Sequence, residues 1–318
     1  MKKELLTRFM EKRIVELKKE QRNGTAHVYQ STLNRLKNFM NGREITFSQL
    51  TPEWLALFEQ KLLADQLKWN TISTYMRMLR SVYNQALERG VATYVPRLFN
   101  KVHTGIDCPV KRAVSPEVIC RLMTDRKPLP GKLAFSRDLF VLLFLDKLLL
   151  RGMPFVDLAF LRRCDLQGNV ITYHRRKTSR KLTVVVGKEA MEIIQKYMYA
   201  IPDSPYLFPI IQNPGKDEYG QYARMLRLQN YRLTQVANIL GIRDRLSTYT
   251  ARHTWATTAL RQNYNSSLIC DAMGHSSVKV TETYFQPYRD DEVNRMNSSL
   301  ITYILSKKKR GTDKKIRS

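Results

Sequence analysis

Acidic residues are scarce in this chain. Asp and Glu number 28 against 54 Lys and Arg, a formal net charge of +26 over 318 residues. Such an excess repels itself unless a polyanion neutralises it. Cysteine is scarce too. Cys108, Cys120, Cys164 and Cys270 form no CxxC pair and no Cys/His cluster with zinc spacing. That argues against a disulfide framework or a structural zinc site, and for free thiols in a reducing cytosol. Long hydrophobic runs are missing as well. The longest, Leu139 to Leu150, is broken by Asp146 and Lys147, and at about 12 residues it is too short to span a bilayer. It reads as a buried core helix. The N-terminal MKKELLTRFMEKRIVELKKE is basic and amphipathic, without the apolar core of a signal peptide.

What is present is a globular balance of 43% hydrophobic and 26% charged residues, in a chain long enough for two domains of ordinary size or one large one. With that charge, the expected partner is nucleic acid, bound through phosphate contacts and counterion release. The expected location is cytoplasmic, on the nucleoid.

Residues 1–105 read as helical. Thr25 to Met40 and Ser48 to Leu63 carry apolar residues near helical period, the second with Thr51 as N-cap and Pro52 at the first helical position. Thr71 to Arg89 has the clearest stripe: Ile72, Tyr75, Met76, Leu79, Val82, Tyr83, Ala86 and Leu87. Asn70 is the expected cap at its start and Gly90 at its end. Its other face, with Arg77 and Arg80, is a candidate for DNA contact. Residues 106–114 are read as a linker. A second domain, 115–300, opens with Ser115, Pro116 and Glu117 as a helix start. Val170 to Tyr173 and Leu182 to Val186 read as a β-hairpin around a basic turn, His174 to Lys181. Residues 301–318 are expected to form a polar, basic tail, flexible until bound.

Four segments of the second domain carry chemistry-bearing side chains. They are Arg151 with Gly152 and Met153, Lys177 in the hairpin turn, Tyr249-Thr-Ala-Arg252-His253, and Gly274-His275 followed by Tyr284. Together they suit phosphodiester exchange without a metal. A phenol can attack phosphorus and later be displaced. Two guanidiniums can stabilise the charged phosphorane oxygens. A lysine or histidine can protonate the departing oxygen. Arg151 and Arg252 are the clamp candidates, Lys177 the acid, His275 a further donor and Tyr284 the nucleophile. Arg175 and Arg176, beside Lys177, are candidate DNA contacts.

In order and spacing these residues resemble the tyrosine recombinase (phage integrase) family. Arg151 matches the first arginine, Lys177 the hairpin lysine, Arg252 the second arginine, and Gly274-His275 with Tyr284 nine residues later the last box. The match covers about residues 113–290. One position departs: where the family has the His of His-x-x-Arg, this chain has Tyr249. A phenol still donates a hydrogen bond but does not exchange protons near pH 7, so acid–base duty falls on Lys177 and His275. Asp157 is expected to orient an arginine or the local backbone, and His253 to support structure.

The resemblance implies a mainly α fold with a small β-hairpin or sheet. It implies a helical SAM-like core-binding domain and a catalytic domain forming a C-shaped clamp on duplex DNA. It further implies a 3′-phosphotyrosyl intermediate, a homotetramer on two sites, no cofactor, and a C-terminal helix, Asp291 to Leu305, docking on a neighbouring protomer. The chain begins almost directly with the core-binding domain, which favours inversion or resolution over integration and excision by a mobile element. Type IB topoisomerase-like relaxation, and an architectural DNA-binding protein that kept the fold and lost the chemistry, remain the alternatives.

Overall fold

The computed structural model describes residues 4–105, 112–125, 127–144, 152–288 and 290–313, without the side chains at 144, 291 and 303–313. The linker residues 106–111 with Cys108, the end of the apolar stretch at 145–150, Arg151, and residues 314–318 lie outside them. The chain divides into two compact units, Met1–Pro109 and Val110–Ser318.

The first unit is helical: α1 (Leu6–Lys19), α2 (Asn23–Phe39), α3 (Pro52–Ala64) and α4 (Trp69–Glu88). Leu6, Met10, Leu33, Leu36, Leu55, Phe58, Met76 and Leu79 meet in its core with almost no exposure. Each such side chain contributes about 1.5–3 kcal/mol by leaving water. Thr51 caps α3 as expected, accepting from the Trp54 amide at 3.1 Å. Gly90 takes a left-handed conformation (φ +67°) just past the end of α4, where a Cβ would be strained. Asn70 does not cap α4. The helix starts two residues earlier than expected, at Trp69 with Lys68 at the N-cap, and the Asn70 carbonyl accepts from Thr74 inside it.

The second unit contains α5 (Pro116–Thr124), α6 (Gly131–Phe144), α7 (Phe155–Ala159), a three-stranded antiparallel sheet, α8 (Lys188–Tyr197), α9 (Glu218–Ile239), α10 (Thr248–Arg261), α11 (Ser266–Met273), α12 (Val278–Glu282) and α13 (Asp290–Asp313). The strands are β1 (Leu166–Gln167), β2 (Val170–His174) and β3 (Lys181–Val185). β2 and β3 pair from Val170↔Val185 to His174↔Lys181, and β1 adds two pairs that the sequence pattern does not reveal. Leu139, Phe140 and Leu142 of α6 are buried with Leu233 and Val236 of α9 and Ala251 of α10. That packing fixes α10, which carries much of the site.

The expected basic tail is corrected in part: α13 continues through Lys307 to Arg310 and ends at Asp313. Lys and Arg are good helix formers, and positive charge near a helix C-terminus is favoured by the dipole. Among the described residues no helix is long and apolar enough to cross a membrane.

Candidate active site

The site grows from the start of α10. Ser247 accepts from the Thr250 amide at 3.2 Å while Thr250 Oγ1 accepts from the Ser247 amide at 3.1 Å. This reciprocal cap sets the phase of the helix. Tyr249, Arg252, His253 and Thr257 then fall at i, i+3, i+4 and i+8, one face. Tyr284 lies against that face. Its ring centroid is 4.7 Å from His253, 6.3 Å from Tyr249 and nearly parallel to it, and 5.2 Å from the Arg252 guanidinium carbon. The His275 ring is stacked against it with centroids 5.2 Å apart.

The nucleophile candidate is held by its backbone. Its carbonyl is bonded to His253 Nδ1 at 3.1 Å and accepts from Thr257 Oγ1 at 3.3 Å. Gln286 follows, its amide donating to Thr257 Oγ1 at 3.2 Å and its Nε2 to the Ala113 carbonyl at 2.8 Å. His253 thus supports the segment that bears Tyr284. Residues i and i+4 of a helix are neighbours, so it shares the face of Tyr249.

Arg252 is only 3% exposed. Its Nη1 donates to the Gly152 carbonyl and its Nη2 to the Met273 carbonyl at 3.3 Å. Among the described residues no carboxylate pairs with it. Burial pulls its pKa down, opposed first by Tyr284. A desolvated cation whose partners are uncharged, with no carboxylate paired to it among the described residues, has capacity left for an anion. Gly152 (φ +68°) passes close by: a Cβ there would stand 3.3 Å from Arg252 Cγ.

His275 follows the left-handed Gly274 that ends α11. Arg252 Nη2 lies 2.5 Å from His275 Nε2, and His275 Nδ1 lies 2.8 Å from Thr281 Oγ1. A guanidinium only donates. Nε2 therefore accepts, and Nδ1 carries the proton and donates to Thr281. Burial, then the charges of Arg252, Arg175 and Lys177, lower the His275 pKa to about 3, so the ring is neutral near pH 7. Tyr249 moves the other way. Burial of the hydroxyl, then the neighbouring Tyr284, raises its pKa, although the residue as a whole is 53% exposed. It is a phenol that can donate and does not ionise.

Lys177 sits exposed in the turn between β2 and β3. Asp157 of α7 accepts from the Arg176 amide at 3.0 Å and from Arg175 Nε at 3.3 Å. It touches both an arginine and the local backbone. Arg176 stays on the surface, its guanidinium 3.8 Å from the centre of the Phe160 ring. Arg175, expected as a DNA contact, is turned inward at 5% exposure. The cause is strand alternation: Ile171 and Tyr173 face the core, and Arg175 keeps their parity. In the first unit, Arg77 and Arg80 are half-buried. Arg77 bonds the Ser73 carbonyl, and Arg80 bonds Thr104 at 3.0 Å over the Phe99 ring.

The structure thus brings together Tyr249, Arg252, His253, His275 and Tyr284, with Arg151 outside the described residues. Thr281, Thr257 and Gly152 were missed by sequence reasoning. Thr281 lies six residues after His275, a spacing that does not by itself mark it.

Two family models match the chain. The phage integrase SAM-like domain matches residues 5–102, and the phage integrase family matches residues 114–290. Tyrosine recombinase XerC of Thermodesulfovibrio yellowstonii is 23% identical over 286 residues, 84% of this chain and 87% of the relative. Tyrosine recombinase XerD of Oceanobacillus iheyensis is 24% identical over 232 residues, 70% and 73% of the two chains. A solved Tn1549 transposon integrase in complex with transposon right end DNA has a TM-score of 0.64 at 13% identity, covering 94% of this chain and 100% of that one. A lambda integrase tetramer bound to a Holliday junction has a TM-score of 0.61 at 13% identity, covering 91% and 80%. At these identities the structural likeness is one of fold.

Proposed function

The chain belongs to the phage integrase family, and from that premise and the site geometry we propose that it recombines DNA at specific sites with Tyr284 as nucleophile. One observation carries the residue assignment. The Tyr284 ring lies 5.2 Å from both a buried, acid-free arginine and a neutral histidine, each brought from a different segment.

Tyr284 Oη attacks a scissile phosphate, releasing its proton to water, and forms a 3′-phosphotyrosyl link. The P–O5′ bond breaks and the departing oxygen takes a proton from Lys177. Arg252, with Arg151, stabilises the phosphorane, and Tyr249 donates to it as a neutral phenol. The incoming anion occupies the Arg252 donors that now face His275 and offsets the positive field on the ring. Thr281 can both donate and accept, so it holds either tautomer of the ring: when Nδ1 gives its proton to water and Nε2 takes one from water, the turned Thr281 hydroxyl donates to Nδ1 and Nε2–H donates to phosphate. A partner strand's 5′-hydroxyl then reverses the attack. Both units bind duplex DNA, four protomers act on two sites, and inversion or resolution is favoured over integration. Arg77, Arg80 and Arg176 contact the duplex. The exposed Val293, Met296, Leu300 and Ile301 of α13 fit docking on a neighbouring protomer.

The test is covalent capture. A suicide duplex with a randomised core is incubated with the chain, and the DNA retained after denaturation is recovered and sequenced. On that selected duplex, wild type forms an adduct and Tyr284→Phe forms none while binding with unchanged affinity. An adduct in Tyr284→Phe refutes the assignment. Binding without any wild-type adduct points to the architectural protein, and relaxation of any supercoiled plasmid to the topoisomerase. Placing two selected sites in inverted or direct orientation on one plasmid separates inversion from excision.

A further inference from the structure

The turn that carries Lys177 is tied on both flanks to the turn that carries His275. On one flank Arg175 Nη1 donates to the carbonyls of Met273 and Gly274 at 2.8 and 2.7 Å, while its Nε pairs with Asp157 at 3.3 Å. On the other flank Arg180 Nη1 donates to the His275 carbonyl at 3.3 Å, and its Nη2 pairs with Asp271 at 3.1 Å. Between them the turn closes on itself: the Arg175 amide donates to the Arg180 carbonyl at 2.9 Å and the Ser179 amide to the Arg175 carbonyl at 2.8 Å. Gly274 leaves room for the tie. A Cβ there would stand 2.6 Å from Arg175 Cδ, closer than any real contact allows.

An arginine is not needed to seat a hairpin. Ile171, Tyr173, Leu182 and Val184 already bury the inner face of β2 and β3. What Arg175 adds is direction. Its planar guanidinium spends two bonds from Nη1 on the carbonyls at the C-terminal end of α11, on the residues that immediately precede His275, and one from Nε on an acid that also holds the next backbone amide. Arg180 repeats the tie from the opposite strand. The tip between these anchors is Lys177, an exposed side chain with much rotamer freedom.

We infer that Arg175 and Arg180 are positioning residues that clamp the hairpin turn to the His275 turn, so that Lys177 Nζ stands where the departing 5′-oxygen needs its proton. This rests on the reading of Lys177 given above. In the step concerned, the Tyr284 Oη–P bond forms, the P–O5′ bond breaks with its electron pair on oxygen, and that oxygen takes the Lys177 proton. The lysine is reprotonated from water. Displacing a group by about 1 Å can cost on the order of a hundredfold in rate.

Leaving-group replacement tests this. The selected duplex is made in two forms, one with the normal 5′-oxygen at the scissile bond and one with a bridging sulfur, which departs as a thiolate without an acid. Single-turnover cleavage is measured for wild type, Lys177→Ala, Arg175→Lys and Arg180→Gln. Arg175→Lys keeps a charge opposite Asp157 but loses the fork, and Arg180→Gln removes the more exposed tie. On the oxygen duplex, Arg175→Lys is expected to slow cleavage about a hundredfold and Arg180→Gln less. On the sulfur duplex both recover to the wild-type rate, as does Lys177→Ala. Equal slowing on both duplexes means general damage and overturns the inference, as does no slowing on either, or a Lys177→Ala loss that sulfur does not restore. If Arg175→Lys does not fold, Arg180→Gln decides by the same pattern. A wild-type adduct that Tyr284→Phe abolishes shows that the recombinase reading stands whichever way the clamp falls.

Discussion

In the first unit, Arg77 and Arg80 lie half-covered along α4, with Arg80 bonded to Thr104 and laid over Phe99. In the second, Arg252 and Arg175 are 3% and 5% exposed. The pair on α4 keeps contact with solvent, where a charge costs little and gains little from any one partner. The inner pair has left water, and there the identity of the partner decides the role. Arg175 meets a carboxylate and two carbonyls, and its charge is answered within the chain. Arg252 meets carbonyls and a neutral histidine, and its charge is not. The two buried arginines thus differ in partner: Arg175 has the make-up of a brace, and Arg252, as proposed above, that of a receptor for an anion.

The largest expected effect tests the receptor. Arg252→Gln should slow single-turnover cleavage about a thousandfold while leaving the melting temperature unchanged or raised, because a desolvated, unanswered charge has been removed. A rate near wild type, or a melting temperature that falls steeply, breaks the contrast with Arg175.

A second, smaller effect is a pH dependence of stability. The His275 pKa is lowered from 6.5 to about 3 in the folded chain. The unfolded chain takes up a proton below 6.5 and the folded one does not until near 3. The stability from keeping this ring neutral is thus complete above pH 6.5 and is lost as pH falls toward 3, at most about 1.4 kcal/mol per pH unit. Denaturant melts at pH 7 and pH 4 should show wild type losing more stability on acidification than His275→Gln. Equal losses would mean the ring is not held neutral.

The smallest effects belong to the outer pair. Arg77→Gln and Arg80→Gln should each weaken DNA binding evenly across sequences and lower the salt slope by about one, with no change in cleavage at saturating DNA. If either variant instead alters the sequence selected from a randomised core, that arginine reads bases.

The architecture was legible where periodicity is strong and turn chemistry local. The stripe of α4, the Thr51 cap, the β2–β3 hairpin and the helix start at Ser115 and Pro116 follow from residue order. The positions of Tyr249, Arg252, His275 and Tyr284 in one cluster followed only from their resemblance to a family, because nothing in spacing alone sets the Tyr284 segment against α10. Arg175 was misread because a basic turn suggests phosphate, although strand parity pointed it inward. Thr281 was missed because a threonine on a five-residue helix looks like any other until the histidine ring that faces it is placed. The two-residue strand β1 was missed because it is shorter than any alternation can mark.

The hydrogen bonds of the Tyr284 carbonyl with His253 and Thr257, and from Gln286 to Ala113, fasten the main chain on either side of the phenol rather than the phenol itself. A side chain moored in this way, beside the guanidinium of its own chain, can swing about its own bonds without loosening the loop that carries it.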